Sequence, residues 1–263
     1  TNIQRDCFIN NYLEMFPSSI ERWYTEEECA KLAGGQKQKL MLSTFESMNS
    51  TDPTTTKKIN VKWNEQLKDA SEIPGDIKPR AITGLANCFQ VLDQPFVRPL
   101  TKEFKKRYDG SSVVSIRGTD VRFVIADPKP ENMDFYGSLL TTSKDPVIIV
   151  SCDDVIAFAG TSWTKPTALV PARYAEGDYS SWDQSELAWL WDIIDAALSR
   201  MPLTPSLKKF IERMHHQASA PFTAKNRKAD TSVKGQTHKQ MPTGGSFTGI
   251  FGSWNNIVLW VLA

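Results

Sequence analysis

Residues 147–158, VIIVSCDDVIAF, set two short runs rich in Val and Ile on either side of an acidic pair. Runs this short, rich in β-branched residues and interrupted once, read as strand, turn and strand. The segment therefore predicts a β-hairpin with Asp153 and Asp154 at its tip. Adjacent carboxylates between buried strands cost stability unless something cationic meets them. An exposed turn that simply joins two strands remains the alternative.

The rest of the chain must be compatible with that hairpin. At 263 residues, 40% hydrophobic and 23% charged, it has ordinary globular composition and the length for one large domain or two lobes. A net charge of +1 gives no global argument for a nucleic-acid partner. Charge is segregated locally, however. Residues 207–239 hold eight cations against Glu212 and Asp230, whereas residues 174–199 hold six acids and neither Lys nor Arg. A basic band beside an acidic centre suits a polyanion handled near a metal, and equally suits two solvated faces. The four cysteines show no CxxC spacing and there are only three histidines, so a zinc site is not indicated and a reducing compartment is the default. No signal-peptide pattern is visible. The apolar tail FTGIFGSWNNIVLWVLA carries two Asn and two Gly and makes a poor membrane span. Starting at Thr1 and ending in that apolar run, the chain reads as part of something longer.

Residues 1–50 read as helical. Within them TEEECAKLA has Thr25 and Glu28 at capping-box spacing, and Gly34-Gly35 closes the helix. NSTDPTTT, residues 49–56, is a loop, and KKINVKW and DIKPRAITG read as short strands. QVLDQPFVRPLTKEFKKRY predicts a helix starting after Pro95, with a basic face. VRFVIADP reads as a strand. ELAWLWDIIDAALSRM has helical periodicity, with Asp183 and Glu186 placed to cap it. Residues 202–240 read as polar, basic and irregular, MPTGGS as a glycine-rich turn, and the apolar tail as a buried helix. Strands and helices without strict alternation predict an α+β fold.

Three further stretches carry chemistry. In AEGDYSSWDQSE, residues 175–186, Asp178 ends a strand and Asp183 begins a helix. Metal-dependent phosphoryl transfer needs carboxylates fixed on rigid elements in this way, although an N-cap and a turn residue would give the same spacing. In MPTGGSFTGIFGSWNN, residues 241–256, a glycine loop with Thr243, Ser246 and Thr248 hydroxyls enters a helix. Such a loop can approach a nucleotide closely, or can simply serve helix packing. In residues 57–84, Lys62, Lys68, Lys78 and Arg80 punctuate two strands. They could hold a triphosphate, or form an ordinary solvated ribbon.

Taken together, these segments resemble the motifs of viral RNA-dependent RNA polymerases. GDYSSWDQS is similar to motif A, with its Asp, four residues, Asp. MPTGGSFTGIFGSWNN is similar to motif B in its picornavirus form. KPR, with its upstream lysines, resembles motif F, and SCDD resembles motif C, usually Gly-Asp-Asp. Gly252 stands where motif B commonly has Asn, which weakens the carry-over of sugar selection. The candidate motif C also precedes motif A. That order resembles the permuted palm of permutotetraviruses and birnaviruses; the alternative is a standard order with motif C beyond Ala263.

The resemblance implies a right-hand polymerase fold with fingers, a partial palm built on an antiparallel sheet, and no thumb. Residues 1–146 would be fingers, with motif F near 57–84. Residues 147–263 would be palm, with a basic fingers-type insertion at 202–240. Asp178, Asp153 and Asp154 would hold two Mg²⁺ ions, with Mn²⁺ as an alternative. Lys62, Lys78 and Arg80 would offset triphosphate charge, and Asp183, Ser246 and Thr248 would contact the sugar. Template and product RNA, NTPs and other viral replication proteins would be the partners, in a replication complex of the host cytoplasm. Two other classes stay open: a non-catalytic RNA-binding domain, and a different two-metal enzyme such as a nuclease.

Overall fold

The structure, a computed structural model, describes residues 10, 13–48, 57–62, 80–84, 86–116, 118–127, 129–162, 173–178, 188–226, 230–242 and 244–262. The chain is α+β, with seven helices and two sheets among these residues.

Helices α1 (Glu26–Ala33) and α2 (Gly35–Ser47) follow one another almost without a loop. The capping box forms: Glu28 N–H donates to Thr25 Oγ1 at 3.2 Å, and Thr25 N–H donates to Glu28 Oε2 at 2.8 Å. Gly34, at φ +66°, ends α1 and begins α2. Residues 14–25 are not helical, so helix does not fill the N-terminal region as expected.

Helix α3 spans Asn87–Arg107 and runs straight through Pro95 and Pro99. The expected start after Pro95 is thus corrected by nine residues, from Phe96 to Asn87. Pro99 has no N–H to give the Pro95 carbonyl one turn back, and Tyr24 N–H supplies that bond at 3.2 Å instead. A tertiary contact thereby offsets part of what the proline takes away.

Strands β1 (Lys57–Lys62) and β2 (Arg80–Gly84) are antiparallel. Next come β3 (Val114–Ile116), β4 (Thr119–Ile125), α4 (Pro130–Thr142), β5 (Val147–Ser151), β6 (Asp154–Phe158) and β7 (Tyr174–Asp178). Helices α5 (Ala188–Ser199) and α6 (Pro205–Ala218), hairpin β8 (Pro221–Asn226) with β9 (Thr231–Gln236), and α7 (Thr248–Leu262) complete the order.

The larger sheet has the order β3-β4-β5-β6-β7. It is mixed rather than purely antiparallel, because β4 and β5 run parallel with α4 as the crossover between them. It draws strands from both sides of residue 146. One face meets the main core, where Val121, Phe123, Ile125, Val150 and Val155 join apolar residues of α3, α5, α6 and α7. The other face packs Val124, Val147, Ile149 and Phe158 against Tyr136, Leu139 and Leu140 of α4.

The described residues of 202–240 form a helix and a pair of strands rather than the expected irregular stretch. Thr204 caps α6 by accepting from Leu207 N–H at 3.2 Å, and Leu207, Phe210, Met214 and Ala218 are buried in the main core. Hairpin β8–β9 joins the smaller sheet in the order β2-β1-β8-β9, with β8 parallel to β1. No helix among the described residues is long and apolar enough to cross a membrane.

Candidate functional site

Strands β5 and β6 form the anticipated hairpin, with Cys152 and Asp153 as its two-residue turn and Ser151 opposite Asp154. Asp153 is half-buried and Asp154, the first residue of β6, is exposed. Cys152 sits at φ +57°, in the left-handed region that glycine tolerates best.

Strand β6 pairs antiparallel with β7, and the register sets Asp154 directly opposite Asp178. Directly opposed positions in such a pair have Cβ atoms about 4.5–5.5 Å apart. The same register stacks Phe158 on Tyr174, with ring centroids 5.0 Å apart. Alternation puts Val155 on the side of the main core and positions 154, 156 and 158 on the opposite face. Two acidic positions therefore share the sheet face turned away from α7, at the end of β6 next to the turn.

Helix α7 fixes that turn from the core side. Ser253 Oγ accepts from Cys152 N–H at 2.9 Å and donates to Gly249 O at 2.9 Å. Asn256 Nδ2 donates to Cys152 O at 3.0 Å. Both backbone groups of the left-handed residue are thus held by buried side chains of one helix. Each such bond has a modest net value, but leaving a buried partner unmade costs about 1–3 kcal/mol.

The loop before α7 is equally constrained. Gly244, at φ +95°, packs so closely on β2 that a side-chain carbon there would lie 2.8 Å from Thr83 O. Gly245 N–H donates to Pro242 O at 2.8 Å, and the Thr248 hydroxyl donates to the same carbonyl at 2.7 Å. Thr248, expected at the sugar, is buried and serves as a loop brace. Ser246 Oγ donates to Asp93 Oδ2 at 3.4 Å.

Nothing in the local pattern around Asp93 singles it out. It is fully buried on α3 and takes Arg213 Nε at 2.9 Å and Gln217 Nε2 at 2.7 Å, both from α6. Arg213 Nη2 also donates to Leu92 O at 2.9 Å. Burial pushes the Asp93 carboxyl above the usual carboxylate range, while the Arg213 guanidinium opposes the rise. Arg213, counted in the basic band by sequence, is an internal ion-pair partner.

Among the strand cations, Lys62 and Arg80 are register partners across β1 and β2, described at the backbone only, as is Asp178. Lys78, Asp183 and Thr243 lie outside the described residues. Lys57, at the start of β1, is buried, and its Nζ donates to Thr237 Oγ1 at 2.7 Å. Burial pulls its ammonium down to about 8. Among the described residues, no group of three or more His, Cys, Asp and Glu converges as a metal site; the side chain of Asp178 is not among them.

Comparison with protein-family models, with curated proteins and with solved structures gives no match to this chain.

Proposed function

We propose that this chain is the fingers and partial palm of a viral RNA-dependent RNA polymerase with a permuted palm, motif C preceding motif A. The observation that carries the reading is the register of Asp154 opposite Asp178. A permuted palm requires the acidic hairpin beside the motif A strand, although 24 residues of sequence separate the two aspartates. The φ of +57° at Cys152 is a second support, since this is the position where the family commonly carries glycine. The clamp from α7, which contains the motif B-like helix, onto the motif C-like turn is a third.

On this reading a primer 3′-hydroxyl attacks the α-phosphate of the incoming NTP. The hydroxyl gives up its proton to solvent as the new P–O bond forms, the bond to the bridging oxygen breaks, and pyrophosphate leaves. Asp178, Asp153 and Asp154 supply hard carboxylate oxygens, the donor type suited to Mg²⁺ or Mn²⁺. Two such ions, when bound, stabilise charge on the attacking and leaving oxygens. Two acidic positions opposed across adjacent strands fit a cation-binding role, since carboxylate oxygens are hard ligands. Lys62, Lys78 and Arg80 offset the triphosphate, and Asp183 faces the ribose. Ser246 and Thr248 act through the shape of their loop.

The test is single-nucleotide incorporation on a primed RNA template by the full-length protein that contains this chain. Asp178→Asn and Asp154→Asn should each abolish Mg²⁺-dependent incorporation while leaving the circular dichroism spectrum unchanged. Salt-sensitive RNA binding that is indifferent to Mg²⁺ and to both substitutions, with no incorporation by wild type, would assign the chain to RNA binding alone.

A further inference from the structure

We propose that Ser246 is a latch and Asp93 its post, and that this pair, hidden from the sequence, sets the conformation of the glycine-rich loop ahead of α7. Residues 242–248 include Gly244 and Gly245, which lose more conformational freedom on ordering than any other residue type. A loop of this composition needs external anchors to hold one shape. Thr248 ties its end back to Pro242 O, and the Thr83 carbonyl limits it at Gly244. Between these, Ser246 makes the bond that reaches out of the loop to another element, donating to Asp93 Oδ2.

The acceptor is suited to this. Asp93 is 0% exposed, and its two oxygens are oriented by Arg213 Nε and Gln217 Nε2. Its carboxylate therefore cannot turn to follow a moving hydroxyl. At 3.4 Å the Ser246 bond is long, and Ser246 itself is half-buried. A rigid buried post with a weak, partly accessible latch gives a loop with a defined resting shape that a bound ligand can shift at low cost. Ser246 is thus a positioning residue. The latch itself stands on the geometry alone, and only its consequence for nucleotide binding rests on the polymerase reading.

The experiment is amide hydrogen exchange on this chain, following the Gly245 and Thr248 amides, which donate to Pro242 O and Gly245 O. Ser246→Ala should speed exchange at both by about two- to three-fold, the low end of what one hydrogen bond contributes, as its length of 3.4 Å implies. Ser246→Thr, which keeps the hydroxyl, should restore protection, and the Cys152 amide bound to Ser253 should not change in either. In an Asp93→Ala/Arg213→Met background, which removes the post without leaving a lone buried charge, Ser246→Ala should add nothing. Unchanged loop exchange in Ser246→Ala, acceleration spread equally to Cys152, or the same acceleration in the double background would each overturn the proposal. In nucleotide incorporation, Ser246→Ala should raise KM for NTP several-fold while kcat stays within about two-fold, as expected when loop positioning rather than chemistry is lost. If wild type incorporates nothing, the polymerase reading falls, and the exchange data still decide the latch.

Discussion

Asp154 and Asp178 stand directly opposite each other on adjacent antiparallel strands, although they lie 24 positions apart in sequence. On the polymerase reading the two carboxylates help to hold a cation, and a ligand bound only by the folded chain stabilises it. The chain should therefore gain stability from Mg²⁺. Millimolar Mg²⁺ should raise the wild-type melting temperature by about 2–4 °C, corresponding to about 1 kcal/mol in a chain of this size. Asp154→Asn should respond little to Mg²⁺. Equal Mg²⁺ responses in the two proteins, measured by scanning calorimetry, would remove Asp154 from metal binding.

The turn beside that pair makes a separate prediction. Cys152 holds a left-handed backbone at φ +57°, which costs an L-residue about 1–2 kcal/mol. Cys152→Gly relieves this, and loses about 0.5–1 kcal/mol through the freer unfolded chain. The backbone terms alone put the variant between equal stability and about 1.5 kcal/mol more stable, and the bonds from Ser253 and Asn256 to the backbone of residue 152 remain available to it. Cys152→Val, with a branched side chain in the same conformation, should be clearly less stable. Urea midpoints of the three proteins decide it, and a Gly variant well below wild type would contradict this account.

Lys57 makes the stability of the chain depend on pH. Its folded-state value, about 8, lies below the ordinary 10.5 because burial disfavours the ammonium. Between those values the unfolded chain holds more protons than the folded one, so stability should rise as pH increases from about 8 to 10.5 and be flat in this respect below 8. The full span corresponds to about 3 kcal/mol. Lys57→Met should remove the slope and stabilise the chain at pH 7, since Thr237 keeps its own donated bond to Ala218 O at 2.8 Å. Denaturant unfolding at several pH values between 7 and 10 measures this. An undiminished slope in Lys57→Met would show that another group is responsible.

Much of the local structure was legible. The Thr25–Glu28 capping box, the hairpin over 147–158 and the α7 helix all form where their patterns lie, because each depends on contacts a few residues apart. Within residues 202–240 the helical signal is present in the sequence but masked by charge. Leu207, Phe210, Met214 and Ala218 keep helical spacing, and the surrounding lysines and histidines obscured it. The helix through Pro95 and Pro99 was different. Proline's local preference argued against it, and the burial of Phe96, Val97, Leu100 and Phe104 prevailed.

The sequence by itself determined the acidic hairpin, the glycine loop and the chemistry those residue types can support. Tertiary structure decided which of them meet. It set β7 beside β6 so that Asp178 opposes Asp154, and it placed Arg213 inside against Asp93 rather than on a basic surface. The physical reason is one of range. Periodicity, caps and turns are settled by neighbours along the chain, whereas the register of two strands or the burial of a charge depends on which surfaces pack together over the whole fold.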